Sequence, residues 1–201
     1  MNRTIKLLML SDIFVVTGFG LISPILAIFI NDNLPGGSIF SAGLAAAIFL
    51  VTKSAVQMPF SRYADRSGNK LRGLIAGSFI VSMVPFIYIF ATDISYVYLA
   101  EVMYGFGSGL AFPTWLGLWS VNLDKGKESY EWSLYSTLTG IGSAATAAIG
   151  AAISQFIGFT YTFVVVSALS LIGCLILFYL DEGHKYLDRA RLARFCKKAG
   201  A

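Results

Sequence analysis

Charge is what this sequence has least of. Charged residues fill 13% of its 201 positions, about half the share of an ordinary soluble domain, while apolar residues reach 56%. That balance argues against a water-soluble enzyme. Histidine occurs once, at His184, and cysteine twice, at Cys174 and Cys196. Without a CxxC pair or a Cys/His cluster, neither a disulfide framework nor a metal site is expected. The sequence has no nucleotide-binding glycine loop and no nucleophile triad. Primary pumping and enzymatic catalysis therefore find no support, and no cofactor is implied. A cleavable leader is not expected either, because the first apolar run is too long for a signal core.

Apolar length is what the chain has instead. Six runs, at about 7–30, 39–60, 73–92, 95–120, 133–156 and 159–180, each hold the ~20 residues that cross a bilayer core. The expected fold class is an all-α membrane protein with six transmembrane helices. Turn chemistry separates the runs: Asn31 through Gly37 ends the first, Asp93 divides the third from the fourth, and Gly158 divides the fifth from the sixth. The expected organisation is one transmembrane domain over 1–183 and a basic tail over 184–201. The tail mixes Leu187, Leu192 and Phe195 with six basic residues. It reads either as a helix lying on an anionic leaflet or as a solvated segment that fixes topology.

The net charge is +4, and its placement carries the information. Arg3 and Lys6 precede the first run. Arg62, Arg66, Lys70 and Arg72 follow the second, Lys125 and Lys127 follow the fourth, and six more lie in the tail. The remaining three connections hold no lysine or arginine. The positive-inside rule puts the basic side, with both termini, in the cytoplasm of a cell membrane. A nucleic-acid ligand does not predict this alternation, so none is expected.

A shift of 89 residues superimposes DIFVVTGFGLISP on EVMYGFGSGLAFP. Asp12 falls on Glu101, Gly18 on Gly107, Gly20 on Gly109, Leu21 on Leu110 and Pro24 on Pro113. Three spans separate the copies, so they cross in opposite directions, as an inverted three-plus-three repeat requires.

Three ionisable residues lie inside the runs: Asp12, Lys53 and Glu101. A charge at that depth costs several kcal/mol unless paired, hydrated or neutralised, which makes each a candidate for solute or proton handling. Asp12 and Lys53 fall roughly 9 and 13 Å in from the basic side, at heights that allow an ion pair. Glu101 lies roughly 9 Å from the other side, where it either reaches the headgroups or serves the pathway. In the functional reading, Asp12 or Glu101 changes protonation as solute moves. Tyr104 and Trp115 share one face of the fourth run, and Phe112 and Trp119 another. Such faces hold flat apolar or cationic solutes, whereas Trp119, near the basic end, reads as an interface anchor.

The connection Ser61-Arg62-Tyr63-Ala64-Asp65-Arg66-Ser67-Gly68-Asn69-Lys70 resembles the cytoplasmic signature of the major facilitator superfamily, Gly-x-Leu-Ala-Asp-Arg-x-Gly-Arg-Arg. Its Ala-Asp-Arg-x-Gly core is kept, between the second and third helices, where the family carries it. Two other family patterns are degraded. Glu101 stands where many members have the arginine of Arg-x-x-x-Gly, and Ala145 through Gly150 only loosely match Gly-Pro-x-x-Gly-Gly.

The resemblance implies one half of a twelve-helix transporter, with the first and fourth helices lining the cavity. A single half lacks one cavity wall, so a parallel homodimer is expected. Asp65 would meet the partner's fifth helix near Ser133, and Arg66 or Lys70 would pair with Glu128 or Glu131, with Gly68 completing the gating motif. The implied function is secondary active transport of a small organic solute by alternating access, proton-coupled, with drug-like efflux as one form. The alternatives are a non-transporting assembly or receptor subunit, a channel-like pore, or the amino-terminal half of a longer transporter.

Overall fold

The computed structural model describes residues 1–199, with side chains over residues 1–180. Its elements are α1 (Arg3–Ile22), α2 (Leu26–Asn33), α3 (Ile39–Ser67), α4 (Lys70–Ile89), α5 (Ile94–Asn122), α6 (Glu128–Phe156) and α7 (Phe159–Ala199). There is no strand among the described residues. The tail expectation over 184–201, with His184 and Cys196, lies outside the described side chains.

The turn residues act as helix starts. Ser38 Oγ accepts the Ser41 N–H at 3.0 Å, and Asp93 Oδ1 accepts the Ser95 N–H at 2.7 Å. Each such cap contributes about 1 kcal/mol. The helices outrun their apolar stretches at the basic end, because hydropathy marks lipid depth and not the last hydrogen-bonded turn. Most of the signature segment is therefore helical: α3 continues through Ser67 and stops at Gly68, whose φ of +68° makes a left-handed cap.

The first span is broken where continuity was expected. Pro24 has no N–H to give and its ring crowds the preceding turn. The chain turns tightly there, with the Ile25 N–H on the Ile22 carbonyl at 2.9 Å, and α2 then resumes. Its repeat partner Pro113 lies inside an unbroken α5.

The repeat register is visible in the helix starts. Ile39 plus 89 is Glu128, and Lys70 plus 89 is Phe159, the first residues of α3, α6, α4 and α7. Packing follows the same exchange. The pair α4–α5 corresponds to α7–α1, and α3–α5 to α6–α1, while α4 meets α7 at the centre. The chain is thus an inverted three-plus-three bundle of six crossings. Five of them are long and apolar enough to span a membrane by that criterion alone. The sixth, α5, has the length but falls outside that criterion.

The basic connections share one end of the bundle, where the Met1 amino group lies 2.5 Å from Asp124 Oδ2 in the α5–α6 connection. The amino group's hydrogen bond holds the Asp124 carboxyl below its ordinary range. At the other end, the Ile94 N–H reaches the Pro35 carbonyl at 3.3 Å. One apolar cluster, around Ile30, Val84, Val97 and Phe163, packs toward the end without basic residues. A second, around Leu8, Leu74, Trp119 and Leu177, packs toward the basic end.

Small residues set the helix spacing, since lipid tails give little hydrophobic drive for association. A Cβ on Gly77 would lie 2.5 Å from the Gly107 carbonyl oxygen and 2.6 Å from the Ala111 nitrogen. Gly150 sits likewise on the Leu21 backbone, joining α6 to α1. We predict that Gly77→Leu, which must push α4 off the α5 backbone, costs about 1–3 kcal/mol. Thermal melting of the purified protein measures this. Gly43→Leu, into open space, should melt as the wild type does.

Candidate functional site

Two cavities run along α1 and α5. The one nearer the basic end has a volume of about 220 Å³ and is bordered by Asp12, Lys53, Ser78, Tyr104, Phe112, Trp115 and Tyr135. The other, about 740 Å³, is bordered by Pro24, Ala46, Tyr88, Glu101, Tyr104 and Ser143.

A stack of three rings divides them. Tyr104 of α5 lies between Phe19 of α1, at 4.6 Å and 8°, and Phe49 of α3, at 4.4 Å and 21°. All three rings border both cavities. Gly105, next in sequence, lets α5 approach closely enough to form the stack, since a Cβ there would meet the Phe49 carbonyl oxygen at 2.7 Å.

Each cavity holds one carboxylate, and each carboxylate has a tyrosine. In the smaller cavity the Tyr135 hydroxyl of α6 donates to Asp12 Oδ2. In the larger, the Tyr88 hydroxyl of α4 donates to Glu101 Oε1 at 2.8 Å. Glu101 is 4% exposed, so the headgroup reading of this residue does not hold. The two acids are the repeat-related pair, and they fall on opposite sides of the aromatic stack.

Lys53 shares the smaller cavity with Asp12, as their heights required, but no ion pair joins them. Its Nζ lies 4.5 Å from the centroid of Phe112 and 5.8 Å from that of Phe49. The physical reason is direction. Asp12 is taken by the hydroxyl on α6, while the lysine stem crosses toward the ring faces of α5. No carboxylate among the described residues lies within ion-pair reach of Lys53.

The tryptophans correct another expectation. Trp119 is 0% exposed and is no surface anchor. It stacks on Trp115 at 5.0 Å, and both rings meet Trp132 and Tyr135 of α6. Trp115 borders the smaller cavity, whereas Tyr104, on the expected shared face, sits in the partition.

The signature segment pairs with itself. Lys70 Nζ lies 2.8 Å from Asp65 Oδ1 across the Gly68 turn, and Arg66 is exposed. Glu128 is exposed at the start of α6, so the helix end expected near Ser133 lies more than a turn earlier. Glu131 is 1% exposed, accepts the Asp124 N–H at 3.1 Å and lies 3.8 Å from the Met1 amino group. It is therefore held inside its own chain.

Sequence reasoning missed Tyr88, Tyr135, Phe19 and Phe49. The available signal was a tyrosine at the same membrane depth as each acid. The pairing itself depends on helix rotation, which spacing alone does not fix.

Comparison with known proteins agrees with this architecture. The Major Facilitator Superfamily description matches residues 8–194. Multidrug resistance protein 2 of Bacillus subtilis (strain 168) is 31% identical over 114 residues, which cover 56% of this chain and 28% of that relative. Quinolone resistance protein NorA of Staphylococcus aureus (strain Mu50 / ATCC 700699) is 27% identical over 119 residues, covering 59% and 30% respectively. The matched stretch is thus under a third of either relative's length. A six-crossing inverted repeat, matched by one family description over nearly its full extent, belongs to the Major Facilitator Superfamily.

Proposed function

We propose that the chain is a secondary active transporter of small organic solutes, working by alternating access and coupled to protons. One observation carries this reading. Two repeat-related carboxylates, Asp12 and Glu101, lie in separate cavities on either side of the Phe19–Tyr104–Phe49 stack. An acid in each compartment can take or release a proton with that compartment, and an aromatic partition is the element whose movement would exchange access. The relatives' names, multidrug and quinolone resistance, support drug-like organic solutes as the class.

The active unit is a parallel homodimer, with the basic end cytoplasmic in a cell membrane. α3 and α6 are the least covered crossings, each with 11% of its most apolar window buried. Both flank the cavities, and a polar cavity wall turned to lipid is costly. A second copy across these faces closes the pathway. The one-sided basic charge favours the parallel arrangement. Asp65, Arg66 and Lys70 then face the partner's Glu128 end at the cytoplasmic side.

The conservative variants separate coupling from folding. Glu101→Gln and Asp12→Asn keep an oxygen that accepts the tyrosine hydroxyl, but they cannot ionise. In sealed liposomes, both should abolish pH-gradient-driven uptake of a fluorescent quinolone while leaving saturable exchange. Full coupled uptake in both variants would overturn the proton role. A non-saturating conductance would identify a pore, and neither behaviour would identify a non-transporting subunit.

Tyr88→Phe removes the donor from a buried carboxylate and should lower stability by about 1–3 kcal/mol. Adding Glu101→Leu to that variant should recover most of the loss in the same melting assay.

Cysteines at Val51 and Ile141, 69% and 66% exposed, should crosslink two copies in native membranes. A crosslink-free, fully active monomer in mild detergent would remove the dimer.

A further inference from the structure

The smaller cavity contains two opposite charges that do not neutralise each other. Lys53 Nζ meets only the ring faces of Phe112 and Phe49 among the described residues. Lys53 is only half-buried, and a ring face offers its ammonium group about 0.5–2 kcal/mol, so its capacity for an anionic partner remains. Asp12 has one oxygen engaged by Tyr135. A carboxylate has room for several donors, so acceptor capacity remains.

The repeat sharpens the point. Asp12 recurs as Glu101, but the 89-residue shift carries Lys53 onto Gly142, and the larger cavity is bordered by no lysine or arginine. The inverted framework forms its second half without this cation. Lys53 is therefore an addition to one cavity and not a requirement of the bundle.

Flat apolar surface completes the setting. Phe112, Tyr104 and Trp115 border the same space, and Ser78 and Ser108 add hydroxyls. Ser11, also at the border, has its hydroxyl spent on the Gly173 carbonyl at 2.7 Å. A volume of about 220 Å³ suits one or two fused rings bearing short charged arms.

We propose that the smaller cavity is a receptor for an amphoteric aromatic solute, with its anionic group on Lys53, its cationic group on Asp12 and its ring system against the aromatic wall. This rests on reading the chain as a carrier of small organic solutes, and it adds the anionic half of the recognition. A purely cationic solute would leave Lys53 facing a like charge. A purely anionic one would leave Asp12 doing so.

The test is equilibrium binding of tritiated tryptophan to the purified full chain, competed by tryptophan methyl ester, tryptamine and indolepropionate. The ester and tryptamine lack the anion, and indolepropionate lacks the cation. A charge-assisted contact implies that each should compete at least about tenfold more weakly than tryptophan. Lys53→Gln should erase the gap between tryptophan and its ester, while Lys53→Arg keeps it. Asp12→Asn should instead erase the gap between tryptophan and indolepropionate.

Elution volume and melting temperature report whether each variant is folded. Saturable binding of none of the four compounds, or a folded Lys53→Gln protein with an unchanged acid-to-ester ratio, overturns the proposal. Charge-selective binding without gradient-driven flux would support this site while removing the transport reading. Quinolone flux without preference for the acid would do the reverse.

Discussion

The constraint on which the rest depends is the cost of leaving a carboxylate unaccompanied at membrane depth. Both intramembrane acids are met by a tyrosine hydroxyl on a neighbouring helix, Asp12 from α6 and Glu101 from α4. A hydroxyl serves where a lysine would not, because it can donate to the charged acid and still tolerate the neutral one. These two bonds also fix helix rotation. For Tyr135 to reach Asp12, α1 must turn that face to α6. For Tyr88 to reach Glu101, α5 must turn that face to α4. The same rotations carry Tyr104 into the stack and create two compartments.

Close approach makes those bonds reachable. Gly77 against Gly107, Gly105 against Phe49 and Gly150 against Leu21 are contacts in which a side chain would strike backbone. In water such glycines would weaken a helix, but in lipid they replace an absent hydrophobic drive with surface fit. The glycines of α5 therefore serve its close packing, Gly105 and Gly109 against α3 and Gly107 against α4. The crossing that falls outside the apolar-span criterion packs closely against α3 and α4.

Much of this was legible in the sequence. Six apolar runs, the alternation of basic connections and the 89-residue shift specified crossings, the gathering of basic connections at one end and symmetry, because each depends on composition along the chain. Depth was legible too, so Asp12 and Lys53 were correctly assigned to one level. Azimuth was not. Whether Lys53 turns toward Asp12 or toward Phe112 depends on rotations of α1 and α3 that no count of residues supplies. Trp119 was misread for a related reason: an aromatic near a span end anchors at the interface only if no neighbouring helix covers it, and α6 does. Pro24 and Pro113 occupy matching positions in the repeat, yet only the first interrupts its helix.

The chain contains three tryptophans, and Trp115, Trp119 and Trp132 form one cluster with ring centroids 5.0–6.1 Å apart. Intrinsic emission therefore originates at one end of the bundle, on the rim of the smaller cavity. The larger cavity has no tryptophan on its border. The protein thus carries a built-in optical reporter of one compartment that is silent about the other, and a spectral change on adding a solute identifies the chamber that received it.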